Sequence, residues 1–394
     1  MKQMHLHESE TILLGDLCDI VIGRTPKREK LDNFGGNHIW VSIGDMNDKY
    51  IEDSKEKLTD KGVKEANARL IPEGTLLLSF KLSLGKVAIT RRPLYTNEAI
   101  AALIPRKRVN VNYLYYHLRQ IDFSRYGRKA VKGLCLNKEI LSKIEIELVP
   151  PETQDKIVSI LEKAEQLKQW RSESDRLAND FLNSLFVKIF GDPKTNPKKL
   201  ETARLGQFVY SVTSGSRGWK RYYTDSGARF IRVQNLTGYG LDLSEIAHVD
   251  APEDAESKRT LVKTGDVLVS ITGEVGLSAV VPDDLGEAYV SQHVACVRLT
   301  DSMNPYYVAA FIGLPTGGQT QFASMQYGQT RPGLNLNQIK SLRIMVPPLD
   351  MQNKFAAIIE QIEQMKSSQR GSRQLIDNLF DASMQEVSRG GVAC

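Results

Sequence analysis

Cysteine is scarce in this chain and widely spaced. Cys18, Cys135, Cys296 and Cys394 are the four among 394 residues. None forms a Cys-x-x-Cys pair or has a histidine pair nearby. That argues against a disulfide framework and a structural zinc site, and it fits a reducing compartment. The six histidines show no metal-ligand spacing. No apolar run approaches the ~18 residues of a membrane span. The opening Met1-Lys2-Gln3-Met4-His5-Leu6-His7-Glu8 lacks the apolar core of a signal peptide. A cytoplasmic protein with no membrane partner is expected.

Catalytic signatures are missing too. Gly-x-Ser-x-Gly does not occur. Leu84-Gly85-Lys86-Val87 lacks the upstream Gly and the Ser/Thr of a phosphate-binding loop. Asn304-Pro305-Tyr306-Tyr307 resembles the Asn-Pro-Pro-Tyr of amino-methyltransferases without its second proline, and no Gly-rich cofactor loop accompanies it. It reads as a helix start with Pro in the first turn. Pro282-Asp283-Asp284, followed by Glu287-Ala288-Tyr289, lacks the lysine of a nuclease motif. The residues supply no self-sufficient active site. A stand-alone DNA methyltransferase or nuclease with divergent motifs stays open as an alternative, as does a scaffold for acidic proteins.

Apolar residues make up 41% and charged residues 25%. This is the balance of a soluble globular chain with room for two or three domains. A net charge of +5, from 52 basic and 47 acidic residues, says little as a total.

The informative feature is an internal repeat. Ile146-Glu147-Leu148-Val149-Pro150-Pro151 returns as Ile344-Met345-Val346-Pro347-Pro348. Gln154-Asp155-Lys156 returns as Gln352-Asn353-Lys354, and Glu165-Gln166-Leu167-Lys168 as Glu363-Gln364-Met365-Lys366, at an offset of 198. Upstream, Gly74-Thr75-Leu76-Leu77-Leu78-Ser79 parallels Gly265-Asp266-Val267-Leu268-Val269-Ser270. Gly133-Leu134-Cys135-Leu136-Asn137 parallels Gly333-Leu334-Asn335-Leu336-Asn337. Chance similarity does not keep several segments in order at a nearly constant offset.

Each unit of about 197 residues has two parts. The first reads as short strands bounded by turns plus a helix, hence a mixed α/β domain. The second is a long helix. Residues 152–190 hold no Gly or Pro, and Gly191-Asp192-Pro193 supplies the stop. Such a helix is roughly 58 Å long. Apolar residues recur at 4-3-4-3 spacing through Ile160, Ala164, Leu167, Ala178, Phe181 and Leu185, with a polar middle at Arg171 and Ser174. Ile358, Ile362, Met365, Ile376 and Leu379 repeat the pattern. This spacing is that of a coiled-coil seam. A single helix cannot bury that seam alone, and a domain–helix–domain–helix repeat that closes on itself with pseudo-twofold symmetry pairs the two helices antiparallel; the other solution packs each helix on its own domain. The expected class is α+β: two homologous mixed α/β domains separated by two long antiparallel coiled-coil helices, a pseudo-twofold tandem repeat. The divisions expected are 1–150, a helix over 151–190, a linker over 191–200, 201–348, and a helix over 349–390.

Charge is unevenly placed. Residues 106–132 hold eight basic side chains against Asp122, with Tyr113, Tyr115, Tyr116, Phe123 and Tyr126 between them. Residues 216–232 hold Arg217, Lys220, Arg221, Arg229 and Arg232 against Asp225, beside Trp219, Tyr222 and Tyr223. Cations mixed with aromatics suit a polyanion. The same pattern also arises from a solvated helix face over a core stripe of tyrosines.

Taken in order, these features resemble the specificity subunit of a type I restriction–modification enzyme. The resemblance covers residues 10–388. It rests on the two domains, the long helix after each Pro-Pro step, and Phe190-Gly191-Asp192-Pro193. Gly23-Arg24-Thr25-Pro26 and Gly328-Gln329-Thr330-Arg331-Pro332-Gly333-Leu334-Asn335 add to it. It implies that each domain reads one half of a bipartite target in double-stranded DNA. It implies that the helices fix half-site spacing and dock two methyltransferase (modification) subunits, with motor-nuclease (restriction) subunits joining for cleavage. The chain itself would be non-catalytic and bind no cofactor, S-adenosylmethionine being expected on the methyltransferase subunits.

By matching position, the implied DNA contacts of the first domain are Arg24, Thr25, Lys27, Arg28, Lys81, Lys86, Arg128, Lys129 and Lys132. Those of the second are Ser216, Arg217, Trp219, Lys220, Arg221, Thr272, Tyr327, Gln329 and Arg331. Ile160, Leu167, Phe181, Ile358, Met365 and Leu379 represent the partner-binding helices. Glu98 departs from the pattern, standing where Gln292 stands in the second copy. It either accepts from a cytosine amino group or faces inward.

Overall fold

Leu76–Ser79 is apolar at three of its four positions, and all four residues are buried, as a strand covered on both faces requires. In a computed structural model, which describes residues 9–106, 109–126, 128–130, 133–326 and 333–388, it lies in the middle of a five-stranded sheet. The order is Cys18–Ile22, Ile100–Pro105, Leu76–Ser79, Val87–Thr90, Tyr50–Ile51. A second sheet places Phe34–Val41 between Lys57–Leu58, antiparallel, and Tyr95–Thr96, parallel.

The second domain repeats this plan. Val209–Ser214, Val294–Leu299, Val267–Ser270 and Ser278–Val280 form one sheet in the corresponding order. In the other, Ala228–Ile231 lies between antiparallel Ala247–Val249 and parallel Ala288–Val290. The register repeats as well: Leu76 faces Leu103 and Ser79 faces Ile100, while Val267 faces Val297 and Ser270 faces Val294. The chain therefore carries tandem mixed α/β domains.

The domain helices Val111–Gln120 and Pro305–Gly313 start alike. Asn110 and Asn304 cap them through side-chain carbonyls that accept from the next N–H groups. Each asparagine is tied to the start of a long helix. Asn110 N–H donates to Gln154 Oε1 at 2.8 Å, and its amide donates to Asp155 at 2.7 Å. Asn304 N–H donates to Gln352 Oε1 at 2.9 Å, and its amide donates to Asn353 at 2.9 Å.

The long helices span Pro151–Phe190 and Leu349–Ser388. Gly191, with φ of 88°, ends the first in a backbone conformation that L side chains rarely adopt. The chain forms two compact units whose boundary cuts both helices. One compact unit takes in residues through Lys168 together with those from Leu375 on, and the other takes in Gln169–Gln374.

In the first unit Ile157, Val158 and Leu161 enter the domain core, with Phe380 and Met384 packed against it. Lys168 pairs with Asp377 at 2.8 Å and lies over the Phe380 ring. In the second unit Leu182, Phe186 and Phe190 join Tyr307, Phe311 and Phe355 in one core. Phe186 stacks on Tyr307, and Phe190 meets Phe355 edge-on at 5.4 Å. Lys366 reaches Asn179 at 3.2 Å.

This burial corrects the expected seam. Ile160, Leu167, Phe181, Met365 and Leu379 are exposed, whereas Ala164 is buried and Leu185, Ile358 and Ile362 pack on a core. The stripe that is buried runs through Ile157, Leu161 and Ala164, then Leu182, Phe186 and Phe190. The apolar residues of the first helix fall on two neighbouring stripes, and the domains cover one of them.

A second correction concerns residues 106–132. Tyr113, Tyr115 and Tyr116 are buried. Tyr113 donates to the Glu147 carbonyl and Tyr116 to Glu165. Burial, with Glu165 beside it, pushes the Tyr116 hydroxyl well above the ordinary phenol range. Arg106 pairs with Asp19 at 2.7 Å, Arg119 with Glu165 at 3.1 Å and Arg125 with Asp122 at 3.3 Å. Much of this basic stretch fastens its own unit. Lys107, Arg108 and Lys132 lie outside the described residues, as do the side chains of Arg128 and Lys129.

Candidate nucleic-acid interface

In each domain a glycine brings a loop against a strand. A Cβ on Gly23 would sit 2.1 Å from the Asn97 carbonyl, and one on Gly215 2.1 Å from the Val290 carbonyl. No side chain fits there. Gly23 N–H donates to Ile100 and Arg24 N–H to Thr96, while Gly215 N–H donates to Ser291.

In the first domain the inward groups of this loop are held from behind. Trp40, buried, donates its indole N–H to the Arg24 carbonyl at 3.0 Å. The Asn33 amide donates to the Lys27 carbonyl at 3.1 Å. The Arg24 and Lys27 side chains are left exposed, and among the described residues neither has a salt-bridge partner. Thr25 donates to Glu98, whose exposed carboxylate lies beside this loop. Arg28 is engaged by both oxygens of Glu56, at 2.7 and 3.0 Å, and lies over the Phe34 and Trp40 rings.

Beside Arg24 opens a cleft of about 770 Å³ whose walls include Arg69, Lys138 and Asn67. Arg69 and Lys138 carry no sequence signal that points to this cleft. Both act on Asp19, whose carboxyl is held below the ordinary range mainly by its hydrogen bond from Arg106. Of the other loop cations, Lys86 reaches the Ile43 carbonyl and Asn47 at 3.5 Å each. Lys81 lies over the Phe80 ring.

In the second domain Arg259 organises the loop, and nothing in the sequence flags it. Its guanidinium donates to the Ser214 carbonyl at 2.7 Å and to Ser216 Oγ at 3.0 Å. Arg217 and Lys220 are exposed. Arg221 lies over the Tyr222 ring. Trp219 is corrected from a surface residue to a core one. It is 4% exposed, stacks on Phe230 at 5.2 Å, and donates to Glu256 at 2.9 Å. Its flat face is spent on Phe230 and Tyr289 and is not open to a base. Burial and a hydrogen bond to Glu287 push Tyr289 up to about 12.

Thr272 sits beside an imidazole. Its hydroxyl lies 2.6 Å from His293 Nδ1, and Gln292 Nε2 lies 2.8 Å from His293 Nε2. Tyr327, Gln329 and Arg331 lie outside the described residues. The described loops thus present cations and amides on a rigid backbone. That combination neutralises phosphates and can read base edges.

Comparison with known proteins identifies the family. Residues 7–173 and 197–377 match the model of the type I restriction modification DNA specificity domain. The MjaIX type I restriction enzyme specificity subunit of Methanocaldococcus jannaschii is 25% identical over 399 residues, covering 95% of this chain and 91% of that one. The HindI specificity subunit of Haemophilus influenzae is 31% identical over 159 residues, covering 38% and 35%. Among solved structures, the S subunit of a type I restriction–modification system from M. genitalium aligns with a TM-score of 0.62 at 12% identity, over 98% of both chains. The two-part match covers most of the sequence, one part to each repeat, and on it the chain belongs to the type I restriction modification DNA specificity domain family.

Proposed function

We propose that this chain is the DNA-recognition subunit of a type I restriction–modification complex. One observation carries the reading: the same loop scaffold is built twice, with different side chains facing outward. Arg24 and Lys27 project from the first copy, Arg217 and Lys220 from the second. Two unlike readers on one chain suit a bipartite target with unlike halves.

In this reading the long helices set the distance between half-sites as an antiparallel pair related by pseudo-twofold symmetry. The pairs Asn179–Lys366 and Phe190–Phe355, whose numbers run in opposite senses, support that arrangement in the second unit. The helices also dock two methyltransferase subunits. The exposed apolar residues Ile160, Leu167, Trp170, Leu177 and Phe181 support this role, because a soluble helix has no use for such a stripe in water. Those subunits bind S-adenosylmethionine, and motor-nuclease subunits join them for cleavage. This chain contributes recognition rather than bond making. Among the described residues no helix is long and apolar enough to cross a membrane. A cytoplasmic location belongs to this reading because the DNA target lies there.

The test is methylation-site sequencing of DNA exposed to this chain with its methyltransferase partners. A split motif, methylated on adenine in both halves, is the expected result. Methylation without sequence preference would sink the reading.

A further inference from the structure

The loop 80–86 holds a leucine in a backbone conformation that leucine disfavours. Leu82 has a φ of 65°, and its side chain is 72% exposed. The described non-glycine residues with positive φ are Asn67, Leu82, Asn196 and Lys199. Leu82 alone of these is apolar. Asparagine tolerates this region, whereas a branched side chain crowds its own backbone there.

The second domain shows what the position requires. Its loop 271–277 makes the same hydrogen bonds at matching positions. Ser79 Oγ donates to the Ser83 carbonyl and accepts from Lys86 N–H; Ser270 Oγ donates to the Glu274 carbonyl and accepts from Leu277 N–H. Gly85 N–H donates to Ser79, and Gly276 N–H to Ser270. Leu136 N–H donates to Phe80, and Leu334 N–H to Ile271. The residue matching Leu82 is Gly273, with a φ of 73° and open space where a Cβ would be. The fold accepts glycine at this point and gains no packing from a leucine. The strain is held by the hydrogen bonds on either side, and its product is an apolar side chain in water, between Lys81 and Lys86.

We propose that Leu82 is an apolar DNA contact of the first domain, touching the hydrophobic part of a base. Two surfaces of DNA offer that chemistry: the 5-methyl group of thymine in the major groove, and the face of a base at an opened step. The flanking lysines bring the loop to the phosphates, and Leu82 then buries itself against the base. The second domain, with Gly273, reads its half without this contact. The inference rests on the DNA-recognition reading.

The experiment uses the full-length chain and the duplex it selects from a randomised pool. Leu82→Gly is expected to weaken binding to that duplex about 10- to 100-fold, the range for burying a leucine side chain, while its melting temperature stays level or rises. Leu82→Asn, which suits the backbone and is polar, is expected to bind as weakly as Leu82→Gly. Leu82→Met is expected to keep most of the affinity. Replacing single thymines by uracil removes only the methyl group. If one such position weakens the wild type and not Leu82→Gly, the contact is the methyl. If instead 2-aminopurine at one step brightens with the wild type only, the contact is the base face.

Wild-type affinity in Leu82→Gly or Leu82→Asn overturns the proposal. A fall in melting temperature that matches the loss of binding overturns it too, since it marks a folding role. Absence of any preferred duplex for the wild type removes the DNA-recognition reading itself. A preference that Leu82→Gly leaves intact removes the Leu82 contact alone.

Discussion

The Gln352 side chain holds Asn304 at one end and Pro347 at the other. Its carbonyl accepts the Asn304 N–H at 2.9 Å, and its amide donates to the Pro347 carbonyl at 2.8 Å. Gln352 is fully buried, as is Gln154, which makes the same pair of bonds to Asn110 and Val149. Each glutamine locks the first turn of a long helix to the helix of its domain. Gln352→Ala leaves two buried backbone groups without these partners. A loss of about 2–4 kcal/mol is expected, read as a lower urea midpoint. Gln352→Glu should lose a similar amount, because a carboxylate cannot donate to Pro347. Midpoints at the wild-type value would show that the clamp is idle.

Gly23 and Gly215 set the path of the candidate DNA-contacting loops. A methyl group at either would meet a carbonyl at 2.1 Å. Gly23→Ala and Gly215→Ala should each cost about 1–3 kcal/mol and weaken DNA binding by displacing the loop. Gly44 is the control. A Cβ there meets only Ser42 Oγ at 3.6 Å, so Gly44→Ala should leave both melting and binding near the wild type.

Arg24 lies in the first domain and Arg217 in the second, so variants at the two are expected to act on different halves of the target. Arg217→Ala should change preference in one half-site only, and Arg24→Ala in the other, each by about 1–3 kcal/mol where the contact is to a base. A loss spread evenly over all sequences, with a shallower salt dependence, would identify a phosphate contact instead. Duplex selection with each variant gives the answer.

Trp170, 63% exposed on the first long helix, should matter to assembly and little to folding. Trp170→Glu is expected to leave the melting temperature within a degree or two and to abolish co-elution with methyltransferase subunits. Retained co-elution would assign docking to another surface.

Alkaline pH should unfasten both units. Burial pushes the Cys18 thiol from 9.0 up to about 12 and raises Cys296, Tyr113 and Tyr307 as well. Each such group keeps its proton longer in the folded chain than in the unfolded one. The stability it lends is therefore whole below pH 9 and is lost as pH climbs toward 12. Urea midpoints should fall as pH rises from about 9 toward 12, with phenolate absorbance appearing together with unfolding. Cys18 and Cys296 should resist alkylation at neutral pH until denaturant is added.

Much of the architecture is legible in the sequence because the chain says it twice. The Pro-Pro steps and their neighbours recur at one offset, and the strand order recurs with them. Periodicity is less decisive about faces. Ile160 and Leu161 are adjacent and both apolar, yet Leu161 enters a core and Ile160 does not. Composition also reads Trp219 and Tyr116 as companions of nearby cations, while their partners Tyr289 and Glu165 stand far off in sequence. Arg259 is invisible for the same reason: its role depends on Ser214 and Ser216, 45 and 43 residues away.

The first unit recruits its last helix segment from beyond Leu375, where Gln120 reaches the Met384 carbonyl. Synthesis therefore runs out of step with completion. The amino-terminal domain leaves the ribosome first, but a strip of its core follows only after the entire second domain has emerged. Until then Phe380 and Met384 are missing from that core, and the nascent chain carries an open apolar seat through some two hundred further residues of translation. A nascent chain halted near Gln374 would hold everything the second unit needs while still lacking part of the first.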